Sequence, residues 1–388
     1  MSDEDFLPRI PDGLEPLSPN AGGQGSPNDV VGREAELARL HEAVTAGGAL
    51  MTGERRMGKT WIATKLQEEL ADTVTAIYVS AETSTLELFA QRLLDELRKN
   101  RIIGKKVANW EKEVSGELKL NIGVLELTVG GKATKAVPDK AAPGLDVLDL
   151  LSSAPGGPIV LIIDEITHLC HELGAKQAGR FLHELRARRQ SGGPPLVLTG
   201  SIGLHHVLHD MKPVNDLWKV TVGPLKLEDT VVLAARLLLG IGVDPTPQLV
   251  ADIIRETSGI PFYMQGVVDE LRYRGDLDVA ATVTRCLDTN VWETKDLVDR
   301  LVDYYGAKGA KRARAILDTV AVSDEPLEPD AIRARILAYN PDMTIPRDDL
   351  IELLQKLEMD HYLVREGDGE RMSSALLARI WRHERRLR

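Results

Sequence analysis

The sequence predicts an α/β fold with a parallel sheet, followed by a helical stretch and a compact mixed segment. Three observations carry that prediction. Short apolar runs at Ala49–Met51, Val74–Val79, Ile159–Ile163, Leu196–Thr199 and Lys219–Val222 alternate with helical patterns, as strands covered on both faces do. A glycine-rich turn, Gly53-Glu54-Arg55-Arg56-Met57-Gly58-Lys59-Thr60, leads from the first run into a helix that opens at Trp61. An acidic pair, Asp164-Glu165, closes the third run.

Residues 1–28 are rich in Pro, Gly, Ser and Asp without periodicity, and read as a mobile arm. A helix is expected from Gly32 through Glu34, Leu37, Leu40 and Val44. The glycine-rich turn then fits G-x-x-x-x-G-K-[ST], with the strand before it and the helix after it that the motif needs. Gly53 and Gly58 lack a Cβ, so the backbone can curl and aim successive N–H groups at an anion. Lys59 is expected to reach the β- and γ-phosphates of a nucleoside triphosphate, and the Thr60 hydroxyl to hold Mg²⁺. The following helix adds the positive end of its dipole.

Ser84-Thr85-Leu86-Glu87 predicts a capping-box start for a helix ending near Asn100. The alternation from Glu117 to Val129, broken at Gly123, predicts a β-hairpin inserted between core elements. Ile159–Ile163 then delivers Asp164 and Glu165 to the C-terminal edge of the sheet, where open α/β sheets bind ligands. Asp164 is expected to hold Mg²⁺ through water and Glu165 to orient or deprotonate the attacking water. Leu196–Thr199 ends in small polar groups. Thr199 and Ser201 are both candidates to sense the γ-phosphate, with Ser201 preferred. Val31-Gly32-Arg33-Glu34, ahead of the first helix, is a candidate base pocket. Arg186, Arg188 and Arg189 end a helix. They are candidates for an arginine offered to a neighbour's phosphate, or for solvated charges at a helix end.

From Leu227 to about Tyr305 the pattern is helical, broken at Ser258-Gly259-Ile260-Pro261 by a turn or a lid element. After Gly306 come three helical patterns and a hairpin turning at Gly367-Asp368-Gly369. The chain has 388 residues and a formal net charge of −11, which argues against a protein that coats nucleic acid with its whole surface. From Lys308 onward basic and acidic residues are equal in number, and Arg379 to Arg388 form a basic tail. Cys170 and Cys286 make no disulfide framework, no apolar run is long enough to span a bilayer, and Met1–Asp5 is acidic; a reducing cytoplasm is expected.

Taken together, Val31–Glu34, Gly53–Thr60, Leu161–Glu165, Thr199–Ser201 and Gly259–Pro261 resemble the STAND class of AAA+-related ATPases, most closely the prokaryotic, archaeal-type branch. Phosphate loops of that branch often carry two arginines, as Arg55-Arg56 do. The resemblance implies a P-loop NTPase core of the ASCE/AAA+ kind over 29–225, with sheet order 5-1-4-3-2. It implies a helical lid over 226–305, with Gly259 and Pro261 in the position where other AAA+ proteins carry a sensing arginine. A winged-helix domain would cover 306–388. The implied role is a slow or partner-stimulated, Mg²⁺-dependent ATPase switch, closed with ADP and assembling into a homo-oligomer or engaging a partner protein with ATP. The alternative is an ATP-dependent DNA-binding AAA+ protein similar to replication initiators or transposition regulators. The helix near Asp348 would enter a groove, but Asp348, Asp349, Glu352 and Glu358 repel phosphates. A protein contact therefore stands beside DNA as the use of this domain.

Overall fold

The computed structural model describes residues 7–23, 26–100, 103–105, 158–200, 203–207, 212–275 and 277–387. The hairpin expected at 117–129 and the candidate Ser201 lie outside the described residues. Packing divides the chain into two units, Glu34–Thr52 with Lys59–Val222, and Met1–Arg33 with Gly53–Gly58 and Gly223–Arg388.

The first unit is built on a five-stranded sheet of β1 (Gly48–Gly53), β2 (Thr75–Ser80), β3 (Ile159–Asp164), β4 (Leu196–Gly200) and β5 (Trp218–Val222), in the order β2-β3-β4-β1-β5. β1 with β4, β2 with β3, and β3 with β4 pair in parallel. Every residue of β3 and β4 is buried, which is why both read as unbroken apolar runs rather than alternating ones. The helices that cover the sheet are α1 (Glu34–Thr45), α2 (Lys59–Leu70), α3 (Leu86–Lys99), α4 (Ile166–Gln190) and the short α5 (Leu204–Val207). In α3 the buried Leu86, Phe89, Ala90, Leu93, Leu94 and Leu97 recur at helical spacing and form one stripe. Phe89 meets Phe181 of α4 edge to face at 5.7 Å.

Two local details differ from expectation. The cap of α3 is Thr85, whose hydroxyl accepts from the Leu88 amide; Ser84 is one residue too early. Helix α4 begins at Ile166 instead of near Lys176 and kinks at Gly174, whose φ is +69°. The glycine absorbs the bend that made the helical pattern look interrupted.

The second unit holds α6 (Leu227–Gly240), α7 (Pro247–Thr257), α8 (Pro261–Arg274), α9 (Val279–Asp288), α10 (Asp296–Ala321), α11 (Pro329–Tyr339), α12 (Arg347–Met359), the antiparallel hairpin β6 (Leu363–Glu366) with β7 (Gly369–Met372), and α13 (Ala375–Arg385). The expected break at Gly306 is a kink inside α10, with φ +66°. Leu301, Ile316, Leu350, Leu357, Tyr362 and Trp381 share one core there. The described residues of the N-terminal segment make contacts within their own unit. Leu17 is buried and its amide donates to the Arg236 carbonyl at 2.8 Å, while the Asn20 amide donates to Gln265 Oε1 at 2.9 Å. The Glu15 carbonyl also accepts from Arg236 Nε at 3.0 Å, and composition registers none of these contacts. Among the described residues no helix is long and apolar enough to cross a membrane.

Glu370 of β7 is buried, and burial together with the Glu358 carboxyl beside it pushes its pKa up to about 7. The unfolded carboxyl ionises near 4.3, so the folded state binds more protons between the two values. Stability from this group is complete at pH 4, and is lost as pH rises through about 7. Glu370→Gln should therefore raise the melting temperature at pH 8 and change it little at pH 5, as thermal melts at both values would read.

Candidate functional site

The turn between β1 and α2 is left-handed at three places, with φ of +155° at Gly53, +76° at Arg56 and +87° at Gly58. Left-handed residues among right-handed ones turn successive N–H groups to the same side and form an anion-binding concavity. A Cβ built on Gly58 would meet nothing within 4 Å, so the space at this curl is open. Arg56 is the costly member, since a non-glycine residue in this region loses about 1–2 kcal/mol. Lys59, the first residue of α2, is only 4 % exposed.

At the C-terminal end of β3 the Asp164 carboxylate is 3 % exposed and accepts from three hydroxyls on three elements. Thr60 of α2 donates to Oδ2 at 2.9 Å, and Tyr78 of β2 donates to the same oxygen at 2.6 Å. Thr199 of β4 donates to Oδ1. Strand register makes this meeting possible: Tyr78 lies opposite Ile162 and Ser80 opposite Asp164 in the β2–β3 pair. Burial, with Asp164 adding to it, pushes the Tyr78 pKa up, so the phenol stays a donor. Thr199 is fully buried and works on both sides, since its oxygen also accepts the Glu165 amide at 3.0 Å. Glu165 itself has φ +53° and starts α4 without capping it. That left-handed residue turns the chain from strand straight into helix.

Comparison with known proteins meets this geometry. Residues 42–208, which carry the glycine-rich turn and the Asp164 cluster, match the family described as an AAA domain. This segment resembles an AAA-type P-loop domain. The solved structure of the Walker-type ATPase PABY2304 of Pyrococcus abyssi is similar over 92 % of this chain and 97 % of its own, at 22 % identity and a TM-score of 0.62. The ORC2 protein of Aeropyrum pernix, solved as ADPNP–ADP complexes, is similar over 97 % and 96 %, at 14 % identity and a TM-score of 0.51. At those identities the likeness is one of fold. Curated proteins add no match to these.

Within the AAA-type domain the structure brings together Thr60, Asp164, Glu165 and Thr199, and adds Tyr78, which sequence reading passed over. The other predicted residues take the following places. Arg33 is buried and donates to the carbonyls of Met57, at 3.1 Å, and Gly223, at 2.9 Å. It is thus a staple on the loop backbone. Gly32 has φ +66°, and a Cβ there would lie 2.4 Å from the Asp229 side chain. Val31 and Trp61 are half-buried. Pro261 is the first residue of α8, after Ser258 (φ +51°) and Gly259 (φ +65°). Arg55 forms an ion pair with Asp296, and Arg56 donates to the Trp292 carbonyl. Glu54 is half-buried and Met57 is buried.

The arginines at the end of α4 are engaged inside their own unit. Arg186 lies 3.3 Å from Asp216 and donates to the Lys212 carbonyl; Arg189 pairs with the same Asp216. Arg188 pairs with Glu184 at 2.7 Å.

Replacing the Thr199 hydroxyl strands both the Asp164 Oδ1 atom and the Glu165 amide. Thr199→Val keeps the volume and should cost about 1–3 kcal/mol for a buried partner left unsatisfied. Tyr78→Phe should cost less, because Asp164 Oδ2 keeps Thr60. Urea denaturation of both variants would rank them.

Proposed function

We propose that this chain binds ATP with Mg²⁺ and hydrolyses it, and that the nucleotide state governs assembly or engagement of a protein partner. The observation that carries the reading is the 2.9 Å hydrogen bond from Thr60 to Asp164, which joins the end of the glycine-rich turn to the acidic end of β3. A hydroxyl and a carboxylate held together are hard oxygen donors, and they suit Mg²⁺. The bound ion would neutralise charge on the triphosphate. Thr60 and Asp164 are the residues that would hold it. Lys59 sets its ammonium against the triphosphate tail, and the curled amides from Gly53 to Gly58 donate to the phosphate oxygens. Glu165 takes the proton of, or orients, the attacking water. Its backbone bond to Thr199 fixes where that carboxylate starts from.

Glu54, Arg55, Arg56 and Met57 contribute backbone to this cradle, and Trp61 continues the helix behind it. Val31, Gly32 and Arg33 stand ahead of the loop, with Arg33 supporting it through the Met57 carbonyl. Pro261 begins a lid helix. The described tail residues support a protein partner over DNA for the winged-helix segment. Arg379 pairs with Glu256 at 2.7 Å and Arg385 with Asp318 at 2.9 Å, which neutralises part of the tail's charge internally. The STAND-like switch is the finer reading, and the ATPase core supports it without requiring it.

Lys59→Ala should abolish nucleotide binding by calorimetry. Glu165→Gln should bind ATP within a few-fold of wild type and lose turnover by about 100-fold or more. Normal phosphate release by the Glu165 variant would contradict the assignment. For the switch, solution mass with ADP, ATP and a slowly hydrolysed analogue should show larger species only with the triphosphates. A monomer under every condition and concentration would remove the assembly step.

A further inference from the structure

The phosphate loop carries a residue whose backbone and side chain pull in different directions. Arg56 takes φ +76° in the curl, a conformation glycine adopts freely and arginine does not. Its side chain is committed away from the loop. The guanidinium carbon lies 4.2 Å from the centre of the Phe262 ring and 5.1 Å from that of Tyr263, and the group donates to the Trp292 carbonyl. The two rings meet edge to face at 5.3 Å, and Tyr263 packs on Trp292 at 4.9 Å, so the aromatic groups form one block. Arg56 Nη1 is buried and has no oxygen acceptor among the described residues. Ring faces therefore supply much of what water would give this cation, and desolvation strengthens that attraction. Burial, with Arg55 and Arg300 as like charges nearby, lowers the Arg56 pKa, and Tyr263 partly opposes that shift.

Phe262 and Tyr263 sit in the first turn of α8, directly after Pro261. A proline at the first helical position pre-sets the backbone of that turn. Arg33 grips the same loop at the next carbonyl, that of Met57. The curl is thus held at two neighbouring residues, Arg56 and Met57.

We infer that Arg56 is a positioning residue for nucleotide: clamped by Phe262, Tyr263 and the Trp292 carbonyl, it keeps the phosphate loop in its anion-binding curl before any ligand arrives. The inference rests on the ATP-binding reading above and gives it a determinant of affinity that touches no phosphate. Linkage makes the effect reciprocal: a ligand that requires the curl tightens the clamp, and loosening the clamp weakens the ligand.

The test measures ATP affinity and steady-state hydrolysis for wild type, Arg56→Ala, Arg56→Lys, Phe262→Leu and the double variant Arg56→Ala with Phe262→Leu. Arg56→Ala should raise the Kd and the KM about tenfold, with a smaller change in kcat. Arg56→Lys should raise them about threefold, because an ammonium keeps the charge and loses the flat stacking. Phe262→Leu should weaken binding in wild type and add little in the Arg56→Ala background. A variant that is merely less folded loses apparent kcat in proportion to its folded fraction and keeps its KM, so the two roles separate. Wild-type binding of ATP with an unchanged Kd in Arg56→Ala, or strictly additive effects of the two substitutions, would overturn the inference and leave the ATP-binding reading standing. Absence of ATP binding by the wild type would overturn both.

Discussion

One buried carboxylate organises the AAA-type domain. Asp164 is closed off from water at the end of a wholly buried strand, and an ionised carboxylate in such a place must be hydrogen-bonded. Its partners come from α2, β2 and β4, so the same three contacts that solvate it also fix the relative places of those elements. Thr199 extends the constraint by receiving the Glu165 amide, which ties the second acid to the position of the first. Shift any one of these segments and an unsatisfied polar atom appears in the core. The geometry of the site and the stability of the sheet are therefore one problem with one solution.

The phosphate loop is governed differently. Its shape comes from three left-handed residues, two of them glycines and one an arginine held from outside by aromatic rings and a carbonyl. Arg33 contributes a second hold on the loop backbone at Met57. Where the carboxylate cluster is rigid because it is buried, the loop is rigid because it is tethered.

What could be read from sequence follows the distance between interacting residues along the chain. The glycine-rich turn and the Asp164-Glu165 pair are contiguous, and their flanking apolar runs announce the parallel sheet. Tyr78 was not legible, because its role depends on the register of β2 against β3, and eighty-four residues separate Ile162 from Tyr78. Arg33 illustrates a related loss: sequence placed it near the nucleotide, and its guanidinium instead goes to two backbone carbonyls whose exposure no side-chain pattern reveals. The start of α4 was misjudged because Glu165 turns strand into helix in a single left-handed residue, without the turn signals that normally mark such a junction. The contacts of the N-terminal segment, through Leu17 and a few backbone groups, are likewise too sparse to alter composition.

The donors around Asp164 also bear on which ion can sit beside it. Both oxygens are already engaged by hydroxyls, so the carboxylate is not free to swing and chelate with its two oxygens at once. Large ions such as Ca²⁺ gain much of their affinity from that bidentate grip and from a flexible shell. A small ion that keeps most of its own water and asks for a single well-aimed oxygen loses nothing by the restriction. At the proposed site, the hydrogen bonds on Asp164 would thus favour a small ion over a large one.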